Sequence, residues 1–443
     1  MTNHPVMRAA AGFIASASER TYPARVVDLA RMCLVDWHGV ALGARCEPAG
    51  GAVQRVVESW RITGGAHLLF GGTAPAAMAA LVNGTYAHCL DFDDVHFPSL
   101  AHFSAPAWAA VLALGEETNA NEMHMLSAFV TGFEIGARLG AGGMGEAANR
   151  LGWHSTGVVG RLAAAAASAV MLGLDEARAR HCLALAATQT SGLVASFGTD
   201  AKPFHAGRAA CDGVMSAQLA AAGMHGAEGI LDNEAGLARA IAQDGSVQLR
   251  MQGLGEYWEL ERNALKPYAS CGFTHAPIDA ARKLSQVLNA ADIRSARIHV
   301  HPLAPKVAGQ LPHSPLAAKF SIAYCVSLGL HGGRAQAGDF APARLADASL
   351  RALTDKVQIV TRDDLDFAAA RLEVKTANGH EHAADISASL GNPENPMSWD
   401  DVHGKFLSLV TPVMGSSADA LYDTLRDFDT PGRARQARAI LWP

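Results

Sequence analysis

The chain has 443 residues, of which 49% are hydrophobic, 18% charged and 6% aromatic. At roughly 150 residues per domain this length predicts two or three domains, and the composition excludes a mainly disordered chain. The formal net charge of -6 leaves no basic excess to neutralise a phosphate backbone, which argues against nucleic acid as a partner.

The cysteines are scattered singly, and no two form a CxxC pair. They are Cys33, Cys46, Cys89, Cys182, Cys211, Cys271 and Cys325. This spacing is typical of reduced intracellular thiols, and it argues against a structural zinc ion or a cysteine-held iron–sulfur cluster.

The N-terminal twenty residues allow two interpretations, a signal peptide or a first amphipathic helix. The longest apolar run, Leu162 to Leu174, is shorter than the roughly 20 residues that a membrane span needs. We therefore expect a cytoplasmic protein with no membrane partner.

From about residue 5 to 250 the sequence predicts helices. Apolar residues recur at three- and four-residue steps, as in a helix, in the segments 24–42, 76–90, 105–117 and 175–189. Small residues dominate these segments, which favours closely packed helices buried on several sides. This part of the chain is expected to be a large all-α core.

The pattern changes after about residue 255. Alternating β-branched residues predict strands at 296–301, 356–360, 370–376 and 380–386, with Asn378-Gly379 forming a hairpin turn. Helices are predicted at 316–330 and 345–353, which gives a small α+β domain. Ser398 to Asp401 is a helix-capping pattern, followed by further helix at 422–428, and these C-terminal helices are expected to rejoin the all-α part.

The first group of polar residues contains Asp91, Asp93 and Asp94, flanked by His88, His96 and His102. Three carboxylates in four positions repel one another unless cations, protons or N–H groups offset them. The residues leave three interpretations open: a surface loop with helix-capping aspartates, a divalent metal site, or an acid/base cluster whose pKa values are driven apart.

The second group, Gly152 to Gly157, contains His154 just before an Ala-rich helix. Ser155 or Thr156 is expected to cap that helix, whose N-terminal amides then suit an anion. An ordinary hydrogen-bonded core histidine is the alternative for His154.

The third group contains Lys202, and its interpretation depends on the scarcity of lysine in this chain. The chain has eight lysines against 28 arginines, and the first lysine is Lys202, close to His205 and Arg208. Unlike Arg, a lysine amine changes its pKa readily on burial, so Lys202 is a candidate for chemistry, with chance placement as the alternative. We expect Lys202 to lie away from the core.

The fourth group is dense in titratable side chains and lies where the helical and α+β parts meet. It contains Lys266, Tyr268, Cys271 and His275. Binding sites favour such boundaries, so this segment is either part of a binding cleft or a domain linker with a buried cysteine. The spacing around Cys271 matches no cysteine-hydrolase pattern.

Taken together, these groups resemble the MmgE/PrpD family over nearly the whole chain. The residues that carry the resemblance are Asn83-Gly84, His88, Asp91-Phe92-Asp93-Asp94, His102, Ser104, Gly152, His154, Lys202-Pro203-Phe204-His205-Ala206-Gly207, Lys266-Pro267-Tyr268, Cys271, His275, Trp399 and Lys405-Phe406.

The resemblance implies a mainly α fold, with a large all-α domain formed by both chain ends (1–255 and 396–443) and a smaller inserted α+β lid domain (256–395). It further implies a homodimer, no metal or organic cofactor, and an active site between the domains.

The resemblance also implies which residues act. The catalytic positions fall on Asp93, His102, His154, Lys202 and Lys266, and the substrate-binding positions on His205, Cys271, His275 and Tyr324. On chemical grounds the two lysines hold substrate carboxylates and the developing negative charge, the two catalytic histidines act as acid and base, and Asp93 orients a histidine or holds its proton.

The reaction expected from the resemblance takes place at the carbon next to a carboxylate of a small di- or tricarboxylate. A hydro-lyase similar to 2-methylcitrate dehydratase is the leading interpretation. An epimerase acting on iminodisuccinate, a decarboxylase acting on cis-aconitate and, outside enzymes, a non-catalytic carboxylate-binding protein are the alternatives.

Overall fold

The computed structural model describes residues 4–242, 247 and 251–443, which divide into two compact units. Unit 1 holds the described residues up to Cys89, those within Asp93–Asn263, and Ser398–Pro443, whereas unit 2 holds Leu90–Phe92 and Ala264–Met397. The chain is mainly α-helical, as predicted, and both chain ends belong to the helical unit 1.

The α-helices in chain order are α1 (Pro5–Ala15), α2 (Ala24–Gly43), α3 (Pro48–Ser59), α4 (Ala76–Cys89), α5 (Ser104–Thr118), α6 (Glu122–Leu139), α7 (Gly145–Arg150), α8 (Ser155–Met171), α9 (Glu176–Ala187), α10 (Ala201–Ala221), α11 (Leu237–Ile241), α12 (His275–Ser285), α13 (Ala304–Ala308), α14 (Pro315–Lys319), α15 (Ile322–Leu330), α16 (Pro342–Leu345), α17 (Ala348–Thr354), α18 (Trp399–Met414), α19 (Ser417–Arg426) and α20 (Arg433–Leu441). The strands are β1 (Ala66–His67), β2 (Thr73–Ala74), β3 (Ile293–Val300), β4 (Val357–Thr361), β5 (Ala370–Thr376) and β6 (Glu381–Ile386). Among the described residues, no helix combines the length and the apolar character needed to cross a bilayer.

Two of the predicted helical stretches end or divide earlier than expected. The predicted helical region reaches to about residue 250, but the last long helix before unit 2 ends at Ala221 and only the short α11 follows; residues 243–246 and 248–250 lie outside the described part. The predicted helix 316–330 is two helices, α14 and α15. Ser321 separates them because its side chain accepts a hydrogen bond from the backbone N–H of Tyr324 and so caps a new helix.

The predicted helix start at Ser398 is confirmed. The Ser398 side chain accepts from the backbone N–H of Asp401, and the Asp401 carboxylate accepts from the backbone N–H of Ser398. This reciprocal pair satisfies two N–H groups that a helix start leaves without partners. It fixes the start of α18 in unit 1.

In unit 1 the long helices are buried on several sides. Helix α4 packs against α2, α3, α5 and α10, and α8 packs against α5, α6, α9 and α10. Helices α4 and α10 approach closely at Gly84 and Gly207, where a Cβ atom added to Gly84 would lie 3.1 Å from Gly207 Cα. A Cβ atom added to Gly207 would lie only 2.1 Å from the Thr85 hydroxyl oxygen and 2.3 Å from the Leu81 carbonyl oxygen. The predicted role of small residues is therefore confirmed at this contact.

A buried ion pair joins α8 to α10. Arg161, with no exposed surface, donates from Nε to the Asp212 carboxylate over 3.0 Å and from a terminal nitrogen to the Gly157 carbonyl over 2.5 Å. Removing one partner of such a pair leaves a buried charge uncompensated, which typically costs about 3–5 kcal/mol. Sequence reasoning did not single out Arg161 or Asp212.

Unit 2 is built on a four-stranded sheet in the order β4-β3-β5-β6. Strand β4 runs parallel to β3, and the remaining pairs are antiparallel. The hairpin predicted at Asn378-Gly379 joins β5 to β6, and Gly379 has a positive φ of 86°. Helix α12 packs on β5 and β6, and α15 packs on β4.

Candidate active site

The centre of the candidate site in unit 1 is His88, in the last turn of α4. Its Nδ1 lies 2.8 Å from Oδ2 of Asp93, and its Nε2 lies 3.2 Å from Nζ of Lys202 on α10. The contact of Gly84 with Gly207 brings the two helices close enough for this, because His88 lies one turn beyond Gly84 on the same face of α4. His88, Asp93 and Lys202 are all almost fully buried.

The direction of these hydrogen bonds follows from elementary chemistry. An ammonium group can only donate, so His88 Nε2 accepts from Lys202, and a carboxylate can only accept, so Nδ1–H of His88 donates to Asp93. His88 is therefore neutral, with its proton on Nδ1. The three side chains form two consecutive hydrogen bonds, in which Lys202 donates to His88 and His88 donates to Asp93.

His102 approaches Asp93 from the loop before α5. Its Nδ1 is 2.5 Å from the Asp94 carbonyl oxygen and 3.2 Å from Asp93 Oδ2. Both oxygens are acceptors, so Nδ1 carries a proton, and in the neutral form of this ring the lone pair is on Nε2. The backbone N–H of His102 donates to the Thr156 hydroxyl over 3.1 Å, which ties this loop to α8.

His154 lies at the start of α8, where its ring stacks 5.9 Å from that of His88. Its Nδ1 is 3.0 Å from Nδ1 of His205 on α10, so one ring donates and the other accepts. The expected capping of α8 by Ser155 or Thr156 is wrong: His154 is the N-cap residue, and no side chain caps this helix end. The Ser155 hydroxyl donates instead to the Gly145 carbonyl.

The acidic residues are buried rather than on a surface loop. Asp91, Asp93 and Asp94 are each at most 2% exposed, so the interpretation of helix-capping surface aspartates is wrong. In unit 1 the imidazoles hold Asp93, while Asp94 accepts from the Ser104 hydroxyl and, over 2.5 Å, from the Asn263 side chain. Each carboxylate thus has its own partners, and their expected repulsion is offset by the chain itself.

One carboxylate oxygen of Asp93 has a different environment. Oδ1 is buried and has no hydrogen-bond partner among the described residues, whereas Oδ2 lies within reach of two imidazoles. A buried acceptor without a partner costs free energy. This oxygen suits a ligand that carries a donor group.

Lys405 of the closing motif pairs with Asp36 of α2 inside unit 1. Nζ of Lys405 lies 2.5 Å from Oδ1 of Asp36, and both side chains are buried. Burial raises the pKa of Asp36 to about 6, although Lys405 pulls it down. The motif residue therefore joins α18 to α2.

In unit 2 the predicted Lys266 binds the segment Leu90–Phe92. Its Nζ donates to the Asp91 carbonyl over 2.8 Å and lies 3.3 Å from Oδ2 of Asp91. Lys319, which sequence reasoning missed, donates to the Leu90 carbonyl over 2.7 Å. Asp91 has a positive φ of 52°, so the two lysines hold a backbone conformation that is uncommon for a residue other than glycine.

The other predicted residues of unit 2 have local partners. The backbone N–H of Cys271 donates to the Lys319 carbonyl, and the His275 ring lies edge-on to that of Tyr268, with its Nε2 3.1 Å from the Ser270 carbonyl oxygen. The Tyr324 hydroxyl donates to the Asp339 carbonyl over 2.8 Å. Their expected substrate-binding roles stay predictions.

Burial sets the charge states of the imidazoles in unit 1. It lowers the pKa of His88 to about 4, although Asp93 opposes the change and Lys202 adds to it. Burial and the Lys202 charge lower the pKa of His154 well below its usual range and that of His205 to about 4. Burial alone would raise the pKa of Asp93, but the attraction and hydrogen bonds of His88 and His102 outweigh it and hold this pKa well below its usual range.

These shifts predict a histidine contribution to the free energy of unfolding that falls as the pH is lowered from 7 towards 4, while Asp36 and Glu134, whose pKa values burial raises to about 6 and about 7, contribute in the opposite sense. The buried His38, His88 and His154 stay neutral in the folded state, while an unfolded histidine takes up a proton near pH 6.5, so the unfolded state binds more protons in this window. Each contributes a slope of up to about 1 kcal/mol per pH unit. Urea unfolding at pH 7, 6 and 5 measures the slope.

His38→Phe is the matched variant for this measurement. His38 lies in α2, and burial lowers its pKa to about 4. The variant should show a smaller slope than the parent protein. An equal slope in the parent protein and in His38→Phe would contradict the neutral state assigned to His38.

The predicted residues of unit 1 therefore lie together. Asp93, His102, His154, Lys202 and His205 form one cluster around His88, which the prediction of catalytic residues had omitted. A histidine five positions before an acidic residue, in a motif already singled out, was the available signal. The expectation that Lys202 lies away from the core is wrong, since only 3% of it is exposed.

Two models of one known family match this chain. Residues 8–250 match the MmgE/PrpD N-terminal domain, and residues 268–427 match the MmgE/PrpD C-terminal domain. The chain belongs to the MmgE/PrpD family. The family resemblance predicted from the motifs is thereby confirmed.

Curated members of this family include proteins named cis-aconitate decarboxylase. The one from Aspergillus terreus is 24% identical over 429 residues, covering 89% of this chain and 87% of that protein. The one from Homo sapiens is 28% identical over 351 residues (75% and 72%), and the one from Mus musculus is 27% identical over 349 residues (75% and 71%). The family and these names support an enzyme of the lyase type.

Proposed function

We propose that the protein is a lyase acting on a small tricarboxylate at the carbon next to a carboxylate, and that it decarboxylates cis-aconitate. The observation that carries the proposal is the buried cluster in which Lys202, neutral imidazoles and the Asp93 carboxylate meet. The relatives named cis-aconitate decarboxylase favour loss of carbon dioxide over the other outcomes.

Decarboxylation requires that the cluster stabilise a developing negative charge and supply one proton. The bond to the leaving carboxylate breaks, its electron pair moves to a carbon next to a remaining carboxylate, and that carbon takes up one proton. A buried ammonium stabilises the charge that develops there, because it acts in a medium of low dielectric constant and needs little reorganisation. We assign this role to Lys202.

The imidazoles divide the proton transfers. His102 has its proton on Nδ1, held by the Asp94 carbonyl, so its Nε2 is suited to accept a proton. His154, whose ring is paired with His205 and is neutral at rest, is the candidate for delivering a proton that it has first taken up from water. Asp93 fixes the tautomers of His88 and His102 by accepting from both.

Loss of water from a hydroxylated tricarboxylate is the second candidate, favoured by the unpaired Oδ1 of Asp93. A substrate hydroxyl is a donor that this buried oxygen lacks among the described residues. This is the hydro-lyase interpretation that the family resemblance favoured, and it stays a prediction, as does epimerisation. The roles of Lys266, Cys271, His275 and Tyr324, the homodimer and the cytoplasmic location also stay predictions.

The test is incubation with citrate, 2-methylcitrate, cis-aconitate and iminodisuccinate in deuterated water, followed by NMR. We expect cis-aconitate to be consumed, with one carbon dioxide released and one deuterium incorporated for each product molecule. Water loss from a hydroxylated substrate, with cis-aconitate left unchanged, would replace this proposal by the hydro-lyase. Neither turnover nor deuterium exchange with any of the four would overturn the lyase proposal.

A further inference from the structure

His88 occupies a position that none of the predicted catalytic residues shares. Both of its ring nitrogens are engaged, Nδ1 with Asp93 and Nε2 with Lys202, and its ring surface faces His102 and His154 at centroid distances of 4.7 and 5.9 Å. It is 1% exposed. A ring with both nitrogens engaged is poorly placed to exchange a proton with substrate.

We infer that His88 is a positioning residue, which as a neutral Nδ1–H imidazole joins Lys202 to Asp93 and holds both in their working orientations. This inference rests on the proposed function for its kinetic consequences, but the tautomer that it assigns is independent of any reaction. His88 orients Lys202 through an acceptor and Asp93 through a donor.

The contacts show why a residue is needed that joins the Lys202 ammonium to the Asp93 carboxylate. A buried ammonium and a buried carboxylate each require hydrogen-bond partners, and a flexible lysine side chain has many rotamers to restrict. Within unit 1, the ionisable groups that face His88 are Asp93 and His102 from the loop after α4, His154 from the start of α8, and Lys202 from α10; Asp36 of α2 acts on Asp93. His88 is the member of this set that lies between the opposite charges.

Two variants of His88 each keep one of its two hydrogen bonds and remove the other. In His88→Asn the amide takes the place of Nδ1, so it donates to Asp93 but does not reach Lys202. In His88→Gln the amide takes the place of Nε2, so its oxygen accepts from Lys202 but Asp93 loses its donor. Each should lower kcat by about 10²-fold with a smaller change in KM, the range usual for the loss of one oriented catalytic interaction.

The split between kcat and KM distinguishes positioning from a structural role. A merely structural role would lower the folded fraction and leave kcat of the folded protein unchanged. His96→Asn is the matched control, because His96 is equally buried with both nitrogens engaged, by Ser99 and Glu259, and it should lower stability without lowering kcat of the folded protein.

The tautomer is measured directly by NMR of the parent protein with ¹⁵N-labelled histidine. A neutral Nδ1–H signal for His88, absent from His88→Gln and constant between pH 6 and 8, is expected. A protonated ring or an Nε2–H tautomer overturns the inference, whatever the activity.

The kinetic arm can fail in two separate ways. If the parent enzyme turns over its substrate and both His88 variants keep its kcat, the positioning role is overturned and the proposed function stands. If the parent protein turns over none of the panel, the proposed function fails and the NMR result alone decides the assignment of His88.

Discussion

Lys202→Met is expected to lower turnover of the tricarboxylate by at least about 10³-fold while the protein stays folded. Removing one donor that stabilises developing negative charge usually costs about 10²–10³-fold in kcat, and Lys202 also orients His88. Met has a similar length and no charge, so it fills the buried space without leaving a large cavity. Replacing a buried charge by a well-packed apolar side chain is often neutral for stability.

The measurement combines steady-state kinetics with thermal unfolding. Lys283→Met is the control, because Lys283 is exposed on α12 in unit 2, and the same replacement there should leave both turnover and unfolding unchanged. Turnover within tenfold of the parent enzyme in a folded Lys202→Met variant would remove Lys202 from the mechanism.

Asp93→Asn should be comparably severe, with a loss of about 10³–10⁴-fold in kcat, the range known for neutralising a carboxylate that holds a catalytic imidazole. The amide keeps the shape of the side chain but no longer offers an anion to His88 and His102. Both rings lie near Oδ2, so the variant offers them either a neutral amide oxygen or an amide N–H at that place. The tautomers that place a proton on each Nδ1 lose the anion that supports them.

The neighbouring carboxylate provides the comparison for this prediction. Asp94 is just as buried, but its side chain accepts from Ser104 and Asn263 rather than from an imidazole. Asp94→Asn should therefore reduce stability more than it reduces kcat of the folded fraction. Equal kinetic losses in the two variants at matched folded fractions would contradict the separate role of Asp93.

The helices of unit 1 were predictable because their signal is local. The segments 24–42, 76–90, 105–117 and 175–189 each agree with an observed helix to within two residues at either end. The errors arose where local signals compete. Ser321 caps a new helix inside an apolar run, so the run alone predicted one helix where there are two.

The candidate site was predictable as a set of residues but not as an arrangement. His88 and Lys202 are 114 positions apart, and their contact depends on the close approach of α4 and α10 at two glycines. No local pattern expresses this contact. For the same reason the burial of Lys202, the pairing of His154 with His205 and the ion pair of Arg161 with Asp212 emerged only from the packed helices.

The most direct test of the account is a crystal structure of the Asp93→Asn variant with cis-aconitate bound. We predict one substrate carboxylate within hydrogen-bond distance of Lys202 Nζ and a reacting carbon facing His102 or His154. Substrate bound away from all three side chains would contradict the assignment of this cluster as the site of the reaction.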